Sequence, residues 1–159
     1  EDARSMRRTA YGVRGITLRE GDEVVATEVV KPGGTLLTLT ELGYGKRTPL
    51  DEYRVQSRGG IGLKNLDITE KNGRVIEIAQ VSEDKELLLI TEQGKILRTP
   101  TGDIRTIGRA TQGVRLMVLE DGDKLVSVAL VDKDDGPSPT ADESTPAGAE
   151  PPPSEPEPV

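Results

Sequence analysis

Three stretches of this sequence set basic side chains at fixed intervals among glycines, a pattern suited to gripping phosphates rather than to breaking bonds. The segment "EYRVQSRGGIGLK" (52–64) carries Arg54, Arg58 and Lys64, and "DIRTIGRATQGVR" (103–115) carries Arg105, Arg109 and Arg115 at identical spacing. The segment "MRRTAYGVR" (6–14) holds Arg8 and Arg14 in the same register, with Arg7 alongside. Lys and Arg bring charge and N–H donors to phosphate oxygens. Glycines such as Gly59, Gly60 and Gly62 allow backbone N–H groups to approach an anion closely. Gln56 in the same loop, and Lys46, Arg47 and Arg98 a few residues upstream of the loops, complete the candidate contacts. Contacts of this kind hold a duplex in place and carry no base code. In the alternative reading the arginines are solvated surface groups and the glycines serve only the turns.

Other chemistry is poorly supplied. Histidine and cysteine are both absent, which removes disulfides, the usual zinc sites and imidazole- or thiol-based catalysis. Tyr11, Tyr44 and Tyr53 lie inside the repeat and read as packing or rim residues, and Asp51 and Glu52 sit beside basic residues as solvated or paired carboxylates. The run "DKDDG" from Asp132 has its glycine one position early for a calcium loop, with Pro137 in its place. "GYGKRT" lacks the leading glycine of a phosphate-binding loop and has Arg47 where Ser or Thr should follow the lysine. No catalytic residue, metal site or small-molecule substrate is expected in this segment.

The loops recur because the whole chain recurs. Thr40, Glu41, Gly43, Arg47, Thr48 and Pro49 return 51 residues later as Thr91, Glu92, Gly94, Arg98, Thr99 and Pro100, and Arg58, Gly62 and Lys64 return as Arg109, Gly113 and Arg115. Arg8, Gly12 and Arg14 precede Arg58, Gly62 and Lys64 by 50 residues. The sequence therefore divides into the end of one module (1–31), a full module (32–82), a second full module (83–131) and a tail (132–159). A start in mid-module is what a piece of a longer array would show.

Each module reads as four short strands, an all-β, blade-like unit. The first strands are expected at 35–42 and 86–91, and the second end at Pro49 and Pro100 after turns at 43–45 and 92–95. The third are expected at 63–66 and 114–119, and the fourth at 75–81 and 125–131, each within its own module. With aromatics at 2% of the chain, Leu, Val and Ile must form the core. Equivalent loops of successive blades would then line one rim at regular steps, matching the phosphates of a duplex bent around it.

Net charge alone would mislead. The chain carries −7, yet residues 132–159 hold eight acidic residues and one lysine, so the body sums to zero. Eight of the eleven prolines are also in the tail, a composition expected to stay disordered. No apolar run reaches membrane-spanning length and no secretory leader is present, so a cytoplasmic protein is expected.

The stretches "MRRTAYGVRGI", "GYGKRTPLDEY", "QSRGGIG" and "IGRATQGV" together resemble the carboxy-terminal domain of the DNA gyrase A protein, over residues 1–131 almost continuously and with the acidic tail after them. The resemblance implies a six-bladed β-pinwheel, propeller-like in outline, only part of which is present. It also implies a role in bending duplex DNA around a basic rim to support ATP-dependent negative supercoiling. Further implied partners, through the rest of the parent, are the gyrase B subunit and a second copy of gyrase A. Mg2+ and ATP are implied for the holoenzyme, but no cofactor here. The family's seven-residue box, Gln-Arg-Arg-Gly-Gly-Lys-Gly, is matched at Gln56, Arg58, Gly59, Gly60 and Gly62 but not at Ser57 or Ile61, as in a degenerate copy from a later blade. The corresponding A-type component of topoisomerase IV remains an alternative, which the acidic tail disfavours. A protein-interaction propeller would call for aromatic or apolar anchors on the loop tips, where Tyr53 is the lone candidate. An enzyme with a central channel would need convergent polar groups that the repeat does not show.

Two readings of the tail stay open: a solubilising end, or a tethered polyanion that competes with DNA for the basic loops. Competition predicts that deleting residues 132–159 tightens duplex binding, most strongly at low salt; equal affinity of the two forms in a salt titration selects the solubilising end.

Overall fold

The computed structural model describes residues 4–133, so the expected disorder of the tail lies almost wholly outside the described residues. Seven strands follow in chain order: β1 (Thr35–Thr40), β2 (Tyr44–Pro49), β3 (Val75–Val81), β4 (Lys85–Thr91), β5 (Ile96–Pro100), β6 (Val114–Arg115) and β7 (Leu125–Asp132). Pro49 and Pro100 end their strands where a ladder N–H is lost, and each leads into a short 3-10 turn, at Leu50–Glu52 and Thr101–Asp103. The hairpin turn before β2 uses Gly43 at φ +75°, and that before β5 uses Gly94 at φ +83°.

The strands form two antiparallel sheets, ordered β3-β1-β2-β6 and β5-β4-β7. The all-β, blade-like reading holds, but the third strand does not belong to its own module. Val114–Arg115, from the second module, pairs with Tyr44 and Gly45 of the first and becomes the outer strand of that sheet. It is two residues long where six were expected, and residues 63–66 form no strand, Leu66 making only an isolated parallel bridge to Thr111. The first strand likewise stops at Thr40 rather than at residue 42.

Glycine makes the exchange possible. A Cβ on Gly113, which sits at φ +76°, would lie 2.9 Å from the Gly45 carbonyl oxygen, and a Cβ on Gly45 would lie 2.7 Å from side-chain carbons of Leu116 and Leu39. Two backbones thus approach where no side chain fits. The corresponding receiving positions in the second module are Lys95 and Ile96 in place of Tyr44 and Gly45. Among the described residues, no strand pairs there.

The core lies between the two sheets. Leu37 and Leu39 of β1 face Leu87 and Leu89 of β4 in one cluster with Val81, Ile104, Met117 and Leu125. In the 51-residue register the partners of Leu37 and Leu39 are Leu88 and Ile90, not Leu87 and Leu89. Because strand residues alternate faces, one face of the first sheet packs on the opposite face of the second. Stacked modules bury both faces, which is why Thr38 and Thr40 are as buried as their leucine neighbours. Their hydroxyls are satisfied: Asn65 Nδ2 donates to Thr38 Oγ1 at 2.8 Å, and Thr40 Oγ1 donates to the Tyr44 carbonyl at 3.2 Å.

Two substitutions test the backbone crossing by sign. Gly113→Ala introduces both the 2.9 Å clash and a left-handed residue with a side chain, and is expected to destabilise by about 2–4 kcal/mol. Ala110, the one described non-glycine with positive φ (+50°), is expected to give about 0.5 kcal/mol of stability when changed to Gly. Urea unfolding measures both, and a Gly113→Ala chain as stable as the parent would refute the crossing.

Candidate nucleic-acid interface

The basic loops are tied to one another by backbone hydrogen bonds that repeat from seam to seam. At the first seam the Gly59 N–H donates to the Gly15 carbonyl at 2.7 Å and the Thr17 N–H to the Gly60 carbonyl at 2.8 Å. At the second, Ala110 N–H donates to Asn65 O at 2.8 Å and Asp67 N–H to Thr111 O at 2.9 Å. Gly59 and Ala110 occupy equivalent positions and share positive φ, +77° and +50°. The geometry brings the segment of Arg14 beside the loop of Arg58, and that of Lys64 beside the loop of Arg109. It also engages the Gly59 N–H within the protein, so this amide is not the anion donor that the glycine pattern suggested.

Of the sequence candidates, Arg7, Arg8, Arg14, Arg54, Gln56, Arg58, Gly60, Gly62, Lys64, Arg98, Arg105 and Arg115 are exposed, and Gly59 and Arg109 are half-buried. Several exposed cations already have acid partners: Lys64 pairs with Asp67 and Arg98 with Glu86. Arg109 lies 5.8 Å from the Tyr53 ring centroid, and its Nε and Nη1 are buried without a hydrogen-bond acceptor. Its guanidinium is committed largely to the seam.

Lys46 and Arg47 are corrections to the expected interface. Both are buried, Lys46 at 0% and Arg47 at 5% exposure. Lys46 Nζ donates to the carbonyls of Asn65 (2.7 Å) and Gly108 (2.8 Å). Arg47 Nε donates to Ile104 O at 2.8 Å and Nη2 to Gly102 O at 3.3 Å, with Glu83 3.4 Å from Nη1. These carbonyls lie in irregular segments outside the named strands, where the two cations supply donors that the sheet ladders do not. Arg47 N–H and C=O also bond Arg105 O (3.1 Å) and Ile107 N–H (2.9 Å) across the same seam. Arg98 repeats Arg47 in sequence but remains on the surface, because among the described residues no module covers β5.

Burial pushes the Lys46 ammonium below its ordinary pKa of 10.5; Asp67 opposes this, Arg109 adds to it and Glu52 opposes it. Burial raises the Tyr53 phenol, whose hydroxyl donates to Asn65 Oδ1. Asp123 is also pushed upward by burial, but hydrogen bonds from the Gln93 and Lys124 amides, with the charge of Lys95, outweigh it and hold the carboxylate below its usual value. Asn72, 51 residues earlier, fills the same place by donating to Asp67 O (2.8 Å) and Gln112 O (3.0 Å). Among the described residues no group of three or more metal-binding side chains converges, and no helix is long and apolar enough to cross a membrane.

A groove of about 360 Å³ at the second seam is lined by Tyr44 and Lys71 from one module and by Arg115 and residues 117–124 from the next. Sequence reasoning passed over Lys71, which lies outside the repeated basic loops and has Gly122 at its place in the following module.

The profile of the family described as "DNA gyrase C-terminal domain, beta-propeller" matches residues 1–31, 34–82 and 85–132. The chain is 46% identical over 144 residues to the DNA gyrase A protein of Staphylococcus aureus (strain MRSA252), covering 89% of this chain and 16% of that protein. It is 48% identical over 134 residues to the gyrase A protein of Staphylococcus epidermidis (strain ATCC 12228), covering 83% and 15%. The chain thus spans about one sixth of the length of these relatives. Among solved structures, a DNA gyrase A C-terminal domain superposes with a TM-score of 0.74 at 36% identity, over 81% of this chain and 44% of that one. The C-terminal domain of a DNA topoisomerase IV superposes with 0.75 at 25% identity, over 82% and 41%.

Lys46→Met keeps the length of the side chain and removes both donors. Losing these two charge-assisted hydrogen bonds, with the Asn65 carbonyl kept only by the Ala110 N–H and the Gly108 carbonyl only by the Thr111 hydroxyl, is expected to cost about 1–3 kcal/mol in urea unfolding, without changing duplex affinity under conditions where the variant is folded. The pH profile carries the signature: with the folded pKa below 10.5, the unfolded chain binds more protons just under that value. The parent should therefore gain stability as pH rises toward 10.5, and the Met variant should lose that gain.

Proposed function

Because the chain belongs to the DNA gyrase C-terminal domain family, we propose that it binds duplex DNA through the exposed arginines of its repeated loops and bends the duplex across successive modules. The observation that supports this reading is the identical pair of backbone hydrogen bonds at both seams, which brings the segment of Arg14 beside the loop of Arg58 and the segment of Lys64 beside the loop of Arg109. Equal steps of positive charge match a phosphate backbone without reading its sequence. In the parent protein this bending would present a DNA segment to catalytic parts outside this chain. Negative supercoiling would then require the gyrase B subunit, a second copy of gyrase A, Mg2+ and ATP, in the cytoplasm. Greater sequence identity to the gyrase relatives favours gyrase over topoisomerase IV, whose domain shares the fold equally well.

The test is binding of a duplex of about 100 base pairs as a function of salt, with the chain and its Arg8→Ala, Arg58→Ala and Arg105→Ala variants. Each lost phosphate contact should flatten the logarithmic salt slope by about 0.9. Ligating nicked circles in the presence of the chain separates bending from simple attachment, since only a wrapped duplex shifts the linking-number distribution. A folded chain that leaves both readouts unchanged overturns the proposal.

A further inference from the structure

The seam groove is lined by three cations, Lys71, Arg115 and Lys124, and by three carboxylates, Glu120, Asp121 and Asp123. Tyr44, only 6% exposed, lies under two cations: Arg115 places its guanidinium carbon 5.5 Å from the ring centroid, and Lys71 its Nζ 5.7 Å away. Arg115 Nε and Nη2 donate to the Tyr44 hydroxyl at 3.2 and 2.9 Å. The hydroxyl is therefore used as an acceptor, and its own proton finds no acceptor among the described residues. Among the described residues neither Arg115 nor Lys71 has an acid partner within salt-bridge distance, whereas Lys64, Lys85, Lys95, Arg98 and Lys124 all do.

The acids that line the groove do not fill this gap. Glu120 is paired with Lys95, and Asp123 Oδ1 accepts the Gln93 and Lys124 amides. Lys124 is held by Glu41 3.3 Å away. Asp121 and the Oδ2 of Asp123 are the carboxylate groups of the lining left without a donor among the described residues, set against the cations of Lys71 and Arg115 and the Tyr44 phenol proton.

From this we infer that Tyr44, Lys71 and Arg115 form a phosphate clamp specific to the strand-exchange seam. The ligand is an oxyanion carrying several acceptor lone pairs, and, resting on the proposed function, it is a phosphate of the bound duplex. Arg115 and Lys71 supply the charge. Tyr44 is the positioning residue that keeps the guanidinium in place and adds one O–H donor. The second module does not repeat the clamp, for a readable reason. The clamp exists only where a strand from one module reaches the tyrosine of another, and the second module carries Lys95 and Gly122 at the places of Tyr44 and Lys71.

The test separates charge from positioning. In duplex titrations against salt, Lys71→Gln is expected to flatten the logarithmic slope by about 0.9 and to weaken binding about five- to ten-fold near 0.1 M salt. Tyr44→Phe preserves the charge count, so it should weaken binding several-fold with the slope unchanged. Side-chain NMR signals of Lys71 and the Tyr44 ring are followed in parallel with the duplex and with sodium phosphate at constant ionic strength. If the parent binds the duplex and Lys71→Gln matches it in affinity and slope, the clamp is wrong and the general binding reading stands. If the parent fails to bind the duplex but phosphate shifts both signals, the clamp stands as an oxyanion site and the DNA reading falls. Signals unmoved by either ligand overturn the clamp outright.

Discussion

The structure depends on one backbone crossing, at Gly45 and Gly113. Because neither residue carries a Cβ, the chain of the second module reaches the edge of the first sheet and donates Val114 and Arg115 to it. This short strand ends the outer edge of that sheet, which would otherwise expose unpaired ladder groups. The same excursion sets Arg115 against the Tyr44 hydroxyl and brings Leu116 and Met117 onto the core. A module is consequently not a self-contained unit of packing. Its hydrogen-bonded sheet is completed by its successor, and the two are expected to unfold together.

Stacking explains why residues at equivalent positions behave differently. Arg47 and Arg98 match in the repeat, yet one holds the Ile104 and Gly102 carbonyls under a covering module and the other pairs with Glu86 on its own sheet. Leu37 and Leu39 are buried, whereas their counterparts Leu88 and Ile90 are half-buried. The difference lies in what covers each face, and the local sequence hardly changes. Residues that a neighbouring module covers become structural even when they are charged, provided carbonyls or carboxylates satisfy them.

Electrostatics sorts the remaining cations. The body of the chain is neutral in sum, so any attraction for a polyanion must come from arrangement. Paired lysines and arginines lie along the sheets and seams, while among the described residues the arginines of the repeated loops, with Arg115 and Lys71 in the groove, have no acid partner within salt-bridge distance. A surface that is neutral overall can in this way present positive charge in periodic patches.

Much of this was legible in the sequence. The 51-residue register determined the strands that begin and end each module, because alternating apolar residues, glycine turns and strand-ending prolines act locally. It also identified the exposed arginine loops, since spacing survives translation into a repeat. Tertiary structure alone decided that Val114–Arg115 belongs to the neighbouring sheet, as a two-residue strand has no periodicity to read. It alone buried Lys46 and Arg47, whose partners are carbonyls 19 to 62 residues away, and it alone joined Lys71 to Arg115 across a seam. Propensity and period are properties of neighbours along the chain, whereas burial and pairing depend on which module lies on top.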